Sequence, residues 1–230
     1  MKNIAIITAR GGSKRISKKN IREFCGKPII AYSIEAALAS GVFDTVMVST
    51  DSEEIAAIAR EYGAEVPFLR SEATSNDYAT TVDVLNEVLV QYAKQGIHFD
   101  QMCCIYPTAP FVTGDKLKAA FERLAESGAD SVIPVVAFSF PPQRGFTVTD
   151  GRVSYAFPEY AMARSQDLQP MYHDCGQFYV TRIPVFEKKH TVITDNTVPL
   201  VMPEEEVQDI DNLSDWVLAE AKYRTFILKK

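Results

Sequence analysis

The sequence predicts an α/β fold in three layers, in which a doubly wound, mainly parallel β-sheet is covered by helices on both faces. Up to residue 136, short apolar runs bounded by turn residues alternate with segments of helical period, the pattern of strands joined by covering helices. The chain has 230 residues, of which 47% are hydrophobic and 23% charged, and this composition allows a substantial core. We therefore expect one large domain over residues 1–230.

The elements follow in a regular order. Runs of strand length and apolar character are predicted strands at 3–8, 45–50, 101–106 and 131–136. Segments with apolar residues three and four positions apart are predicted helices at 28–40, 52–62, 80–94 and 115–127. Ligands of such folds bind at the carboxyl ends of the strands. We therefore expect the functional site near residues 8–10, 49–51 and 106–110.

The alternation of strands and helices stops after residue 136. Residues 138–175 are rich in proline and aromatic residues and show no helical face. Asp150 and Gly151 lie between short alternating runs and predict the turn of a β-hairpin. Because exposed aromatic side chains often mark a partner surface, we interpret 138–175 as a small inserted lobe at the interface of a homodimer; the alternative is that these aromatic side chains pack only inside the protein. Strands at 176–181 and 198–202 and a helix at 213–225 complete the prediction.

The net charge, the apolar runs and the cysteine content exclude several classes of protein. The formal net charge of −6 argues against a general nucleic-acid partner. No apolar run approaches the length of a membrane span, and the first residues enter a strand without a signal-peptide pattern. The four cysteines show no spacing typical of zinc sites or disulfides, so we expect buried, reduced thiols. These observations predict a cytoplasmic protein with no membrane partner.

A basic loop follows the first predicted strand. Residues 9–14 read Ala-Arg-Gly-Gly-Ser-Lys, and six cations fall between Arg10 and Arg22 in a chain of opposite net charge. Adjacent glycines allow positive φ and let backbone N–H groups turn toward a ligand, while the cations attract phosphate. The spacing matches neither the dinucleotide fingerprint nor the P-loop. The alternative is a solvated basic turn, but we interpret the loop as a site for a nucleoside triphosphate.

A pair of carboxylates precedes the last predicted helix. In an extended segment, residues two apart point to the same side, so Asp209 and Asp211 would face one ligand together. Two hard oxygen ligands suit Mg²⁺, which is usually held together with substrate phosphates. In a second interpretation the segment is an acidic surface in which Asp211 or Asn212 only caps the helix. A metal-dependent glycosyltransferase and a nucleotide-binding module without catalysis are further alternatives.

Seven short motifs occur in order along nearly the whole chain. They are Ala-Arg-Gly-Gly-Ser-Lys at 9–14, Lys-Asn at 19–20, Gly-Lys-Pro at 26–28, Ser-Thr-Asp at 49–51, Val-Pro-Phe-Leu-Arg at 66–70, Pro-Thr-Ala-Pro at 107–110 and Gln-Asp-Ile-Asp at 208–211. Together they resemble the cytidylyltransferases that activate nonulosonic acids as CMP-sugars, the CMP-sialic acid synthetase family. Residues 164–170 and 172–179 look like the pseudaminic acid branch. The resemblance implies one nucleotidyltransferase domain of the nucleotide-diphospho-sugar transferase type.

The resemblance also implies a reaction. In this reaction the anomeric hydroxyl of a nonulosonic acid attacks the α-phosphorus of CTP, and pyrophosphate leaves. The resemblance implies pseudaminic acid as the substrate, with legionaminic or N-acetylneuraminic acid as the alternative. Nucleotide contacts are implied for Ala9, Arg10, Gly11, Ser13, Lys14, Lys19, Asn20, Arg70, Thr80 and Thr81. Among these, Arg10, Lys14 and Lys19 are the expected catalytic cations, because charge develops on the phosphate oxygens. Asp209 and Asp211 are the expected Mg²⁺ ligands.

Contacts to the sugar acid are implied for a further set of residues, Tyr106, Arg164, His173, Gln177 and Tyr179. A guanidinium binds a carboxylate in bidentate fashion, which suits Arg164, although this residue could instead form a surface pair with Asp167. If the segment around His173 is extended, its side chain and that of Asp174 point to opposite faces and cannot form a catalytic dyad. Tyr106 stands where sialic-acid members usually have glutamine, which does not favour neuraminic acid.

Overall fold

The computed structural model describes residues 1–228. Its strands are Asn3–Thr8 (β1), Glu23–Phe24 (β2), Lys27–Pro28 (β3), Thr45–Ser49 (β4), Gln101–Ile105 (β5), Ser131–Ala137 (β6), Phe146–Thr149 (β7), Arg152–Tyr155 (β8), Tyr172–Asp174 (β9), Phe178–Arg182 (β10) and Thr197–Val201 (β11). Its helices are Ile29–Ser40 (α1), Glu53–Glu61 (α2), Glu72–Ser75 (α3), Thr81–Lys94 (α4), Gly114–Ser127 (α5), Ile183–Lys189 (α6) and Leu213–Lys222 (α7). Within these residues no helix combines the length and the apolar character needed to cross a membrane.

One mixed sheet forms the centre of the molecule. Its strand order is β11-β6-β10-β5-β1-β4, and β9 also pairs with β6. Strand β1 pairs in parallel with β4 and β5, and β6 pairs in parallel with β11. Strand β10 runs antiparallel between β5 and β6. The predicted parallel core is therefore confirmed, with an antiparallel strand inserted into it.

Strand β1 shows how helices cover both faces of this sheet. Ile4 and Ile6 pack on one face, in the cluster that holds α4 and α6. Ala5 and Ile7 pack on the other face, in the cluster that holds α1, α2 and α5. All four side chains are fully buried, as the alternation of side chains along a strand requires. The predicted three-layer α/β architecture is confirmed.

The start of α5 differs slightly from the prediction. Asp115 was the expected first residue, but the Thr113 hydroxyl accepts a hydrogen bond from the Lys116 N–H at 3.3 Å and caps the helix, which begins at Gly114. Thr113 is an N-cap because its side chain satisfies an N–H group that has no partner inside the helix. Gly114 lies against the end of α1, where an added Cβ would be 2.9 Å from the backbone nitrogen of Ser40.

Replacing Gly114 with alanine is expected to destabilise the protein by about 1–3 kcal/mol, because the methyl group would force two packed helices apart. Urea unfolding followed by circular dichroism measures this change in the free energy of unfolding. Gly12→Ala is the matched control, because a Cβ at that position meets no atom within 4 Å. Equal unfolding midpoints for Gly114→Ala and wild type would show that the contact between α1 and α5 tolerates a side chain here.

The segment after β6 is mostly exposed. Strands β7 and β8 form the predicted hairpin, with Asp150 and Gly151 at φ values of 52° and 72° in its turn. Every residue of the two strands is exposed, and Val148 and Val153 retain 71% and 68% of their accessible surface. The hairpin therefore presents apolar side chains to solvent. The assignment of residues 138–175 as a dimerisation lobe within a single domain stays a prediction.

Candidate active site

A cavity of about 600 Å³ opens at the carboxyl ends of β1 and β5, the edge at which ligands of doubly wound sheets bind. Many of the predicted site residues line it: Arg10, Ser13, Lys14, Lys19, Asn20, Arg70, Thr80, Thr81, Tyr106, Asp209 and Asp211. The basic loop, the start of α4, the end of β5 and the segment before α7 meet here. The fold thus brings distant parts of the sequence to one site.

The first residues of the basic loop hold it against the end of β4. The Ala9 N–H donates to the Ser49 carbonyl at 2.9 Å, and the Gly11 N–H donates to Asp51 Oδ1 at 2.7 Å. Ala9 and Gly11 are not among the residues that line the cavity. The expected positive φ at the glycine pair is wrong, since neither glycine adopts it. Gly11 instead lies in a tight place, because a Cβ there would be 3.2 Å from Cβ of Ser52.

Two cations of the loop bind one carboxylate across the cavity. Arg10 Nη1 lies 2.9 Å from Asp77 Oδ1, and the Lys14 ammonium contacts the other oxygen of the same carboxylate. The hydrogen bonds from Lys14 and then Arg10 hold the pKa of Asp77 below its usual range, since they stabilise the ionised form. All three residues line the cavity. One carboxylate of the protein itself therefore offsets part of the positive charge of the basic loop.

Lys19 connects the basic loop to the acidic segment. Its ammonium donates to the Ile210 carbonyl at 2.6 Å and lies 4.0 Å from Asp211 Oδ1. Burial lowers the pKa of Lys19, although the nearby charges of Asp211 and Asp209 oppose this effect. Asn20 supports the same loop by donating from its amide to the Arg10 carbonyl at 2.8 Å. The basic loop and the acidic segment, which were predicted as separate parts of the site, are thus in direct contact.

Asp209 and Asp211 both line the cavity, while Ile210 between them is fully buried in the core. The two aspartates therefore lie at the same cavity, and their role as metal ligands stays a prediction. Asn212, whose side chain accepts from the Asp215 N–H at 3.1 Å, is the cap of α7. Burial and then the charge of Asp211 raise the pKa of Asp209, and a bound cation would relieve this repulsion.

The donor set of this acidic segment fits Mg²⁺. Asp211 Oδ1 forms an ion pair with Arg15 Nη2 at 2.7 Å, and Asp209 carries the second carboxylate. Within residues 1–228, no group of three or more histidine, cysteine, aspartate or glutamate side chains could hold a metal ion. One or two carboxylates are what Mg²⁺ usually takes from a protein, with water and substrate phosphates as its other ligands.

Arg70 and the start of α4 form another wall of the cavity. Arg70 is 9% exposed, and its guanidinium donates to the Ser49 carbonyl at 2.6 Å and to the Ser49 hydroxyl at 3.1 Å. Burial lowers the pKa of Arg70, while the charge of Asp51 opposes this. The Thr80 hydroxyl accepts from the Asp83 N–H at 3.2 Å and caps α4. Thr81, the first residue of the helix, lines the cavity beside it.

Tyr106 is the predicted sugar contact that lines the cavity. Tyr179 packs behind it with the two rings 5.6 Å apart, and the Tyr179 hydroxyl donates to Asp174 Oδ2 at 2.6 Å. Gln177 is buried and donates to the Glu206 carbonyl at 2.9 Å. Gln177 and Tyr179 are not among the residues that line the cavity. Tyr179 therefore supports the Tyr106 ring from within the protein.

Arg164 and His173 also lie outside the cavity lining. Arg164 Nε pairs with Asp167 Oδ2 at 2.7 Å, and its side chain is 72% exposed, which is the geometry of the alternative surface pair. The His173 ring packs 4.7 Å from the ring of Phe138. Its neighbour Asp174 directs its carboxylate to Tyr179 instead, as the extended strand predicts. The roles of Arg164 and His173 in sugar binding stay predictions.

Comparison with known proteins assigns the chain to a family. Residues 4–202 match a family model described as "Cytidylyltransferase". The chain belongs to the cytidylyltransferase family. The matched region includes the basic loop and the start of α4 and ends before the acidic pair. The match identifies this protein as an enzyme of nucleotidyl transfer.

Relatives of this cytidylyltransferase include enzymes for several sugar acids. It is 40% identical to pseudaminic acid cytidylyltransferase of Campylobacter jejuni, with 97% of both chains covered. It is 34% identical to CMP-N,N'-diacetyllegionaminic acid synthase of Legionella pneumophila, with 96% of this chain and 95% of that one covered. A solved structure of CMP:2-keto-3-deoxy-manno-octonic acid synthetase in complex with CTP matches with a TM-score of 0.69 at 17% identity, covering 96% and 98% of the chains. That likeness confirms the predicted fold type.

Sequence analysis missed one part of the cytidylyltransferase cavity, the segment 71–79 between Arg70 and α4. Thr74, Asn76, Asp77 and Ala79 line the cavity from this side. The signal was the polar run at 74–77, three positions before the Thr80 cap, which is typical of a turn. No motif marks it, because its contacts are with loop residues more than sixty positions earlier in the chain.

Proposed function

We propose that the enzyme joins CMP from CTP to the anomeric hydroxyl of pseudaminic acid, a nonulosonic acid, and releases pyrophosphate. One observation carries the proposal: the cations of the basic loop, Arg70 and the acidic pair line a single cavity. A cavity with this combination suits a triphosphate and a divalent metal together. The identity of 40% with a pseudaminic acid cytidylyltransferase over nearly the full length supports this sugar over legionaminic or N-acetylneuraminic acid.

The cationic wall supplies the main electrostatic contribution to the proposed reaction. In-line displacement at the α-phosphorus places charge on the equatorial oxygens and on the leaving pyrophosphate. Arg10, Lys14 and Lys19 line the cavity on one side and would hold the triphosphate there. Preorganised cations stabilise such charge without reorganisation at the moment of reaction. The residues of this wall therefore act by position and charge, and no covalent nucleophile is required.

The acidic pair and Tyr106 complete the proposed assignment. Asp209 and Asp211 would hold Mg²⁺, which neutralises charge on phosphate oxygens when it is bound. Tyr106 would contact the sugar acid, since it lines the same cavity as the cations of the basic loop. The glycosyltransferase alternative needs a sugar nucleotide as donor, whereas the cationic loop and the family match favour a free triphosphate.

The test is pyrophosphate release from purified protein with CTP and Mg²⁺. Pseudaminic, legionaminic, N-acetylneuraminic and 3-deoxy-manno-octulosonic acids are offered in parallel, and ATP replaces CTP as a control. We expect release with CTP and pseudaminic acid. Release with another acid alone would retain the reaction class and overturn the proposed sugar. A protein that releases pyrophosphate with none of them would contradict the proposed function.

We further propose that the enzyme works as a homodimer in the cytoplasm. The exposed apolar face of the β7–β8 hairpin supports a second copy as partner. The four cysteines are free thiols, which suits a reducing compartment. Sedimentation velocity is expected to give a dimer for wild type and a monomer when Val148 and Val153 are both replaced with aspartate. A monomeric wild type would contradict the dimer.

A further inference from the structure

We propose that Asp77 is an internal anion that occupies the phosphate subsite when no nucleotide is bound, and that a triphosphate must displace it. Asp77 thereby weakens triphosphate binding selectively, because a monophosphate that does not reach these cations has no need to displace it. The inference rests on the proposed function only in taking CTP as the natural ligand. The subsite itself is defined by the contacts of Arg10 and Lys14.

The contacts of the Asp77 carboxylate resemble those expected of a bound phosphate. One oxygen accepts from Arg10 Nη1 at 2.9 Å, and the other accepts from the Lys14 ammonium. The guanidinium also lies 3.4 Å from the Asn76 carbonyl. Carboxylates and phosphates bind arginine and lysine through the same charge-assisted hydrogen bonds. A phosphate group at this place therefore competes with Asp77 for the same donors.

The turn that carries this carboxylate is anchored at its base, and within residues 1–228 the Asp77 side chain at its tip forms its hydrogen bonds with these two cations. Asn76 Oδ1 accepts from the N–H groups of Tyr78 and Ala79 at 2.9 and 3.0 Å, so the turn is closed on itself. Earlier in the segment, the Ser71 N–H donates to Glu87 Oε1 of α4 at 2.9 Å. The Tyr78 side chain is 94% exposed and adds no packing. The tip can therefore move without breaking the anchor on α4.

The solvent exposure of the two ion pairs indicates that displacing the Asp77 carboxylate costs little free energy. The side chains of Arg10, Lys14 and Asp77 retain 40%, 75% and 46% of their accessible surface. Ion pairs exposed in this way contribute little because water and salt screen them. A triphosphate carries several negative charges and would outcompete one carboxylate. The contact weakens triphosphate binding by a modest factor without preventing it.

The experiment measures ligand affinities of wild type and Asp77→Asn by calorimetry, with EDTA present so that no metal contributes. The ligands are CTP, CMP and inorganic triphosphate. We expect Asp77→Asn to bind CTP and inorganic triphosphate about fivefold more tightly, the size of effect that two exposed ion pairs allow. CMP affinity is expected to stay within about twofold of wild type.

Glu54→Gln is the matched control. Glu54 pairs with Lys18 of the same basic loop at 2.7 Å, both side chains are exposed, and neither residue lines the cavity. This variant removes the same charge close to the loop without opening the subsite. All three affinities are expected to stay within about twofold of wild type.

The outcomes separate the two proposals. Unchanged or weaker binding of triphosphates by Asp77→Asn overturns the inference, and so does an equal gain for CMP or for the Glu54→Gln variant. If the protein releases no pyrophosphate in the assay with Mg²⁺, the proposed function fails, and the comparison of wild type with Asp77→Asn still decides the inference. If neither wild type nor Asp77→Asn binds inorganic triphosphate or CTP, the inference is refuted, and the pyrophosphate assay still decides the proposed function.

Discussion

Replacing Asp209 with asparagine is expected to lower the rate of pyrophosphate release by about 100-fold or more, while CTP still binds. The substitution keeps the shape of the side chain and removes one of the two carboxylates that face the cavity. The cations of the basic loop are unaltered, so the triphosphate retains its main contacts. Steady-state kinetics give the rate, and calorimetry gives the affinity for CTP.

Glu205→Gln provides the control for this substitution. Glu205 is exposed, lies four residues from Asp209 and is not part of the cavity lining. Its replacement removes the same charge and is expected to leave the rate within about twofold of wild type. A wild-type rate for Asp209→Asn would remove Asp209 from the proposed metal site. Loss of CTP binding together with rate would instead give the aspartate a role in holding the nucleotide.

Replacing Lys14 with methionine is expected to lower the rate of pyrophosphate release by about 100- to 1000-fold, the effect of losing a preorganised donor to a developing charge. The Lys14 side chain is 75% exposed and its ion pair is with Asp77, so the fold does not depend on it. Thermal unfolding is therefore expected to be unchanged. Single-turnover measurements separate the loss of rate from any loss of affinity for CTP.

Lys18→Met is the corresponding control. Lys18 belongs to the same loop and also forms an exposed ion pair, in its case with Glu54, but it does not line the cavity. We expect its rate to remain within about threefold of wild type. Similar losses for Lys14→Met and Lys18→Met would show that the loop acts through its total charge and that Lys14 has no special position.

The layered fold could be predicted because local pattern and tertiary packing agree. In β1 the alternation of Ile4, Ala5, Ile6 and Ile7 matches burial on two opposite faces. The direction of β10 could not be predicted, since four of its five residues are buried, and parallel strands also show such continuous burial. The direction of the strand is set by how the connection after Asp174 packs against the sheet, and no local sequence pattern predicts that packing.

The site was predictable where chemistry is concentrated in a short motif. Lys14 and Asp209 belong to such motifs, and both line the cavity. Asp77 was missed because one aspartate in a polar turn has no distinguishing pattern. Arg164 shows the opposite problem, since the resemblance assigns it a role but within residues 1–228 its ion pair is with its neighbour Asp167. Sequence motifs thus identify the residues that can donate or accept hydrogen bonds in the site. They do not identify which of these residues contact each other.

The hydrogen bond from Lys19 to the Ile210 carbonyl joins residues 191 positions apart. During synthesis on the ribosome, the segment that contacts Lys19 emerges 191 residues after Lys19 itself. Throughout that interval the nascent protein carries the basic loop without the two carboxylates opposite. The proposed reaction needs both segments, so a chain that stops before Asp209 would be inactive even if its sheet had formed.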